Sequence, residues 1–130
     1  MPLVTTPRWR ALAAIASLAL ASSTAAVAQT PVAPPADFAI CSACHEITAK
    51  AAPSLGPNLF GIGGRKAGGA ESYDYSDAMK AYAKPWTAET LQAFILDPAK
   101  AVPGNKMDYP GANDAASAKA IADYLMTLKG

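Results

Sequence analysis

Cys41-Ser42-Ala43-Cys44-His45 decides how the rest of this chain is read. It holds both cysteines and the single histidine of the 130 residues. Two thiols three positions apart, followed at once by an imidazole, form the C-x-x-C-H pattern of c-type haem attachment. Each thiol can add to one vinyl group of the same porphyrin, and the adjacent imidazole is then held under the iron as its proximal ligand. On this reading Cys41 and Cys44 are thioether anchors and His45 is a metal ligand of one covalently bound haem c. Other uses of these groups fit less well. A Cys41–Cys44 disulfide would close only a very small loop. A thiol–disulfide protein of the thioredoxin type calls for strands alternating with helices, and no such pattern is present. A structural zinc site wants four ligands, more than these sulfur and nitrogen atoms supply.

Outward from the motif, the N-terminus reads as a targeting segment. Arg8 and Arg10 precede an apolar run from Ala11 to Ala21, which leads through Ser22-Ser23-Thr24 to Ala26-Val27-Ala28. A positive start, a short apolar stretch and an A-x-A site describe a secretory signal peptide over residues 1–28. The rival is an uncleaved membrane anchor, but a spanning helix wants about 20 strongly apolar residues, and this run is short and mostly alanine. The expectation is therefore a periplasmic protein with no stable membrane insertion after cleavage. Cleavage leaves about 100 residues, a single small domain. The eleven basic residues become nine against ten acidic ones. So even a balance leaves no electrostatic footprint for nucleic acid, nor for an acidic membrane surface. A domain this small is short of apolar surface to bury, and a haem would complete its core.

Three prolines between Gln29 and Pro35 mark residues 29–36 as an extended linker, with the haem domain over 37–130. A short helix from Pro35 or Ala36 to about Ala43 would present Phe38 and Ile40 with the cysteines. Glycines and prolines break the chain from Glu46 to Gly69, which predicts loops and not a sheet. Ser76 is placed to cap a helix over 77–83. Thr87 does the same for 88–96, whose Leu91, Phe94 and Ile95 share one face. Pro98, Pro103 and Pro110 predict a long irregular segment. Asn113 or Asp114 starts a last helix to about Lys129, with Ile121, Tyr124, Leu125 and Leu128 on one stripe. The fold expected is all-α, with about four to five short helices and long loops wrapped round one haem.

Four methionines could supply the second axial ligand. Met1 lies in the export signal, and Met79 and Met126 fall inside predicted helices, where packing is their usual role. Met107 lies in Pro103-Gly104-Asn105-Lys106-Met107, a stiffened loop that can present a thioether without first having to order itself. Taken alone this residue could equally be packed on a small core; beside a haem motif it is the candidate ligand.

In order and spacing, Cys41-Ser42-Ala43-Cys44-His45, Gly56-Pro57-Asn58-Leu59, Gly64-Arg65-Lys66, Tyr75-Ser76-Asp77-Ala78, Trp86, Pro103-Gly104-Asn105-Lys106-Met107 and Gly111 together resemble class I cytochrome c. The similarity is to the mitochondrial type and its periplasmic bacterial relatives, and it runs from about Phe38 to Leu128. It implies that the Pro57 carbonyl accepts the other N–H of the ligating imidazole. It also implies that Arg65, Tyr75 and Trp86 hold the haem propionates, whose charge is costly to bury unpaired, with Tyr73 as a supporting wall residue. Some positions depart from the family. Phe94 stands where relatives usually carry a tyrosine near the methionine sulfur, and Tyr109 where they often carry phenylalanine beside the haem edge. Pro34-Pro35 clips the first helix, reducing its crossing with the last one near Tyr124. Lys100 and Lys106 match the lysines that ring the haem edge, but several others do not.

The resemblance implies a soluble electron carrier without catalytic activity, its iron cycling between Fe(III) and Fe(II) with His45 and Met107 bound in both states. It implies transfer through the haem edge near Cys41, Cys44 and Tyr109 to transient redox partners such as membrane oxidoreductase complexes or oxidases, by a monomer. A haem peroxidase or small-gas binder is the alternative if Met107 does not ligate the iron.

Overall fold

The computed structural model describes residues 2–3 and 31–129. The expected signal peptide, apart from Pro2 and Leu3, lies outside the described residues, as do the first two residues of the expected linker and Gly130. Among the described residues there are five α-helices and no strand. They are α1 (Ala39–Ser42), α2 (Asp77–Tyr82), α3 (Ala88–Leu96), α4 (Pro98–Ala101) and α5 (Ala115–Thr127). A 3-10 turn, Ala36–Phe38, leads directly into α1. No helix among these residues is long and apolar enough to cross a membrane.

The helices start where side chains satisfy their first N–H groups. Ser76 accepts from Met79 N–H at the head of α2, and Asp114 from Ser117 N–H at the head of α5. Thr87 and Thr90 make a reciprocal capping box on α3. α2 ends at Tyr82, one residue short of the expected 83, because Ala83 turns into the left-handed region at φ 50°. α5 likewise stops at Thr127, not Lys129, and Leu128 follows it as the cap.

The segment expected to be irregular after Pro98 contains α4. Asp97 accepts from Lys100 N–H at 3.0 Å, and Pro98 occupies the first helical turn, where its missing N–H costs nothing. A residue pair that reads as a breaker is here a helix start.

α3 against α5 is the principal helix pair. α3 contributes Leu91, Phe94 and Ile95, and α5 contributes Ala118, Ile121, Ala122 and Leu125, all buried. Ala118 and Ala122 are both fully buried, so the two helices approach over methyl groups. The clipped first helix still reaches α5: Phe38 meets Tyr124 edge to face at 4.8 Å between ring centroids, and the Ser117 hydroxyl donates to Asp37.

Between α1 and α2 the chain is loop, stabilised by pairing with the segment after α2. Gly64 N–H bonds to Trp86 O at 2.8 Å, Trp86 N–H to Arg65 O at 2.9 Å, and Ala67 N–H to Lys84 O at 2.8 Å. These rungs surround an isolated bridge between Lys66 and Pro85. They place Arg65 and Trp86 together at one end of the core.

Candidate haem site

Cys41, Cys44 and His45 share one helical turn. The Cys41 carbonyl accepts from Cys44 N–H at 3.1 Å and from His45 N–H at 3.0 Å, so both thiols and the imidazole project from a single rigid segment. All three line a cavity of about 490 Å³. That volume lies within the range of about 300–1,000 Å³ typical of ligand and cofactor pockets. Leu59, Ile62, Met79, Leu91, Ile95, Ile121 and Leu125 supply most of its apolar wall.

His45 is held from its far side. Its Nδ1–H donates to the Pro57 carbonyl at 2.8 Å. A carbonyl can only accept, so Nδ1 carries a proton, and Nε2 is the nitrogen whose lone pair the neutral ring offers to a metal. Gly56 closes the same side. A Cβ at that position would collide with the imidazole ring atoms Cε1, Nδ1 and Nε2, so the ring lies flat against backbone. Two further bonds, Gly56 N–H to Cys44 O and Leu59 N–H to Glu46 O, both 2.8 Å, join the two loops.

Met107 also lines the cavity, half-buried, and its N–H donates to Asn105 Oδ1 at 2.9 Å. Met79, buried in α2, is the second thioether on the wall, whereas Met126 packs outside it against Gly63. Helical Met79 thus has the packing role expected for it while still bordering the cavity.

Arg65, Tyr75 and Trp86 are all on the wall. Arg65 is anchored by Nη2–H donation to Asn58 O at 2.8 Å. Burial pushes the Tyr75 phenol above its ordinary value, with the nearby Arg65 charge opposing. Trp86 packs on Phe94 and Tyr82 at centroid distances of 5.3 and 5.8 Å. Tyr73, also on the wall, donates to Leu55 O at 3.2 Å. Phe94 and Tyr109 border the cavity as well. Of the two lysines, Lys106 borders the cavity and Lys100 does not.

Burial also pushes the Cys41 thiol above its ordinary value, against its backbone hydrogen bond and with help from Cys44. Redox-active C-x-x-C pairs rely on the opposite shift, a thiolate stabilised near neutral pH.

Three features escaped sequence reasoning. Gly56 looked like a turn residue, and only the position of the imidazole reveals its role. Asn58 and Asn105 stood inside motifs without an assigned task. Asp74 bridges Lys80 at 3.3 Å and Lys106 at 3.6 Å, tying α2 to the loop of Met107. Nothing in the sequence spacing points to that tie.

Paired thiols, a metal-ready imidazole and an apolar cavity of cofactor size on an all-α frame define a c-type cytochrome. Comparison with known proteins agrees, although no family model matches the chain. Cytochrome c2 iso-2 of Magnetospirillum molischianum is 39% identical over 95 residues, covering 73% of this chain and 97% of the relative. Cytochrome c2 of Rhodoblastus acidophilus is 42% identical over 92 residues, covering 71% and 86%. Among solved structures, cytochrome cH from Methylobacterium extorquens superposes with a TM-score of 0.63 at 42% identity, covering 69% of this chain and 90% of that one. The chain belongs to the class I cytochrome c family, whose members carry covalent haem c and transfer electrons.

Proposed function

We propose that this chain is a periplasmic, monohaem electron carrier. In this reading residues 1–28 are a cleaved signal peptide, 29–36 a linker and 37–130 the haem domain. Cys41 and Cys44 make the two thioether bonds, and His45 and Met107 are the axial ligands. The observation that carries the proposal is the Nδ1–H bond of His45 to Pro57 O at 2.8 Å. It prepares Nε2 as a ligand on a cavity wall that also presents both thiols and a thioether.

When bound, the haem supplies one-electron iron chemistry. Everything else is done by residues of the chain. Pro57 and Gly56 fix the ring plane and tautomer of His45. A thioether from Met107 would favour the ferrous state and raise the potential. Were His45 and Met107 both to hold the iron, a substrate would find no open site, which supports a carrier without enzymatic activity. Arg65, Tyr75 and Trp86, which all line the cavity, offer a positive charge, a hydroxyl and an indole N–H to the propionates. Ile40 and Leu55, 57% and 76% exposed, rim the cavity with Tyr109. They form an apolar rim on which a transient partner, a membrane oxidoreductase complex or an oxidase, would meet the haem edge through a small interface.

A reduced-minus-oxidised spectrum of the purified periplasmic protein, with mass spectrometry of the same sample, tests the reading. The expected result is a c-type spectrum, a ferric sulfur-to-iron charge-transfer band and the mass of one haem added to the chain from residue 29. A mass equal to the bare polypeptide would overturn covalent attachment; absence of the band would favour a gas-binding or peroxidatic haem.

A further inference from the structure

We infer that Asn105 is a positioning residue for Met107, fixing the backbone that carries the thioether. The inference rests on Met107 as an axial ligand. Val102 to Asn105 form a turn closed by Asn105 N–H on Val102 O at 3.0 Å. Pro103 and Gly104 hold its central places, and Gly104 has φ 86°, the arrangement of a type II turn. The chain then turns again at once, because Asn105 Oδ1 accepts Met107 N–H at 2.9 Å, an Asx turn. The side-chain amide uses its remaining capacity on α4, donating to Pro98 O at 2.9 Å and Val102 O at 3.0 Å. One side chain therefore ties the ligand's own N–H to the end of a helix.

Asn58 makes the same set of bonds on the other side of the site. Its Oδ1 accepts Phe60 N–H at 2.8 Å, and its amide donates to Thr48 O at 2.8 Å and Ala51 O at 2.9 Å. In both cases Oδ1 takes the N–H two residues on, and the amide takes two earlier carbonyls. Asn58 adjoins Pro57, the partner of His45, and Asn105 precedes Met107 by two positions. Serine or threonine brings a single hydroxyl donor and cannot make this set; aspartate keeps the acceptor and loses both donors. A loop ordered in advance loses little conformational freedom when its sulfur binds.

The test is titration of ferric holoprotein with imidazole in wild type, Asn105→Ala, Asn105→Asp and Met107→Ala. The charge-transfer band and midpoint potential are read on the same samples. Asn105→Ala, which removes three hydrogen bonds, is expected to bind imidazole at least about tenfold more tightly, the scale of a single lost bond, with a weakened band and a lower potential. Asn105→Asp loses both donors and sets a carboxylate oxygen against the Pro98 and Val102 carbonyls, so it is expected to bind imidazole at least as tightly as Asn105→Ala. Met107→Ala should lack the band and bind imidazole most tightly of all.

A gain in Met107→Ala with none in Asn105→Ala overturns the role of Asn105 and leaves the ligand reading intact. No gain in Met107→Ala overturns the ligand reading itself. An aspartate variant that stays at wild-type affinity overturns the tie through the amide to α4. Should Asn105→Ala yield no holoprotein, amide exchange in wild type decides. A Met107 N–H exchanging much more slowly than exposed loop amides supports the inference, and one exchanging equally fast overturns it.

Discussion

The loop that follows His45 and the loop that precedes Met107 share one asparagine device and differ in what else holds them. His45 is fixed through its backbone to Cys41 O, through its ring to Pro57 O, and by the bare backbone of Gly56. Its thiol neighbours lie within the same helical turn. Met107 comes far later in the chain, and Asn105 supplies the side-chain hydrogen bond to its backbone. Beyond that, its loop is tethered by the exposed pair of Lys106 and Asp74 and by Lys106 over the Tyr73 ring, 5.0 Å from the centroid. One proposed ligand is built into its surroundings and the other is delivered to the site. With the ligation proposed above, such asymmetry would let the Met107 bond be adjusted while the cofactor stays in place.

The severest way to break the comparison is on the histidine side. Cys41→Ser with Cys44→Ser should abolish accumulation of holoprotein, measured as haem absorbance per mass of periplasmic chain. Folding of that double variant to the wild-type helical content without haem would show that the cofactor is not part of the core. On the methionine side the effect should be selective. Met107→Ala should retain covalent haem, lower the potential and admit azide or cyanide, whereas Met79→Leu should leave the ferric spectrum unchanged. An unchanged spectrum in Met107→Ala would instead show that another residue ligates.

Gly56→Ala sharpens the contrast at moderate cost. Its Cβ has nowhere to go but into the imidazole, and overpacking of this kind costs about 1–3 kcal/mol. Denaturant unfolding of holoprotein should show the loss together with an altered His45 environment.

Asp74→Asn should have the smallest effect. The Lys80 hydrogen bond and then the Lys106 charge hold the fully exposed Asp74 carboxyl below its usual range. A depressed folded-state value means that its contribution is present above the unfolded value and is lost as pH falls through the folded one. The stability difference between wild type and Asp74→Asn should therefore shrink in acid, and also in high salt.

Legibility in the sequence followed the distance over which each contact acts. The haem motif, the caps at Ser76 and Thr87, and Ile121, Tyr124 and Leu125 of the last stripe are local patterns that the structure has in place. Of Asn113 and Asp114 it is Asp114 that caps α5, and Leu128 falls just beyond the helix. Asp97-Pro98 was equally local but carries two meanings. Proline breaks a helix from within and starts one from its first turn, and the surrounding prolines pulled the reading toward irregular loop. Roles for Pro57, Arg65, Tyr75 and Trp86 came from family resemblance, since nothing in their spacing indicates that loops far apart in the chain meet on one cavity. Gly56 against His45 and Asp74 against Lys106 are tertiary contacts with no sequence signature of their own.

The rungs joining Gly64 to Ala67 with Lys84 to Trp86 make the intervening stretch a closed excursion whose two feet are clamped together. Its tip at Glu71 and Ser72 is exposed. Changes in length there would be absorbed beyond the clamp, without transmitting slack to Arg65 or Trp86. A tag or label grafted at the tip would therefore spare the clamp and be felt first by Tyr73 and Asp74, which follow it directly in the chain.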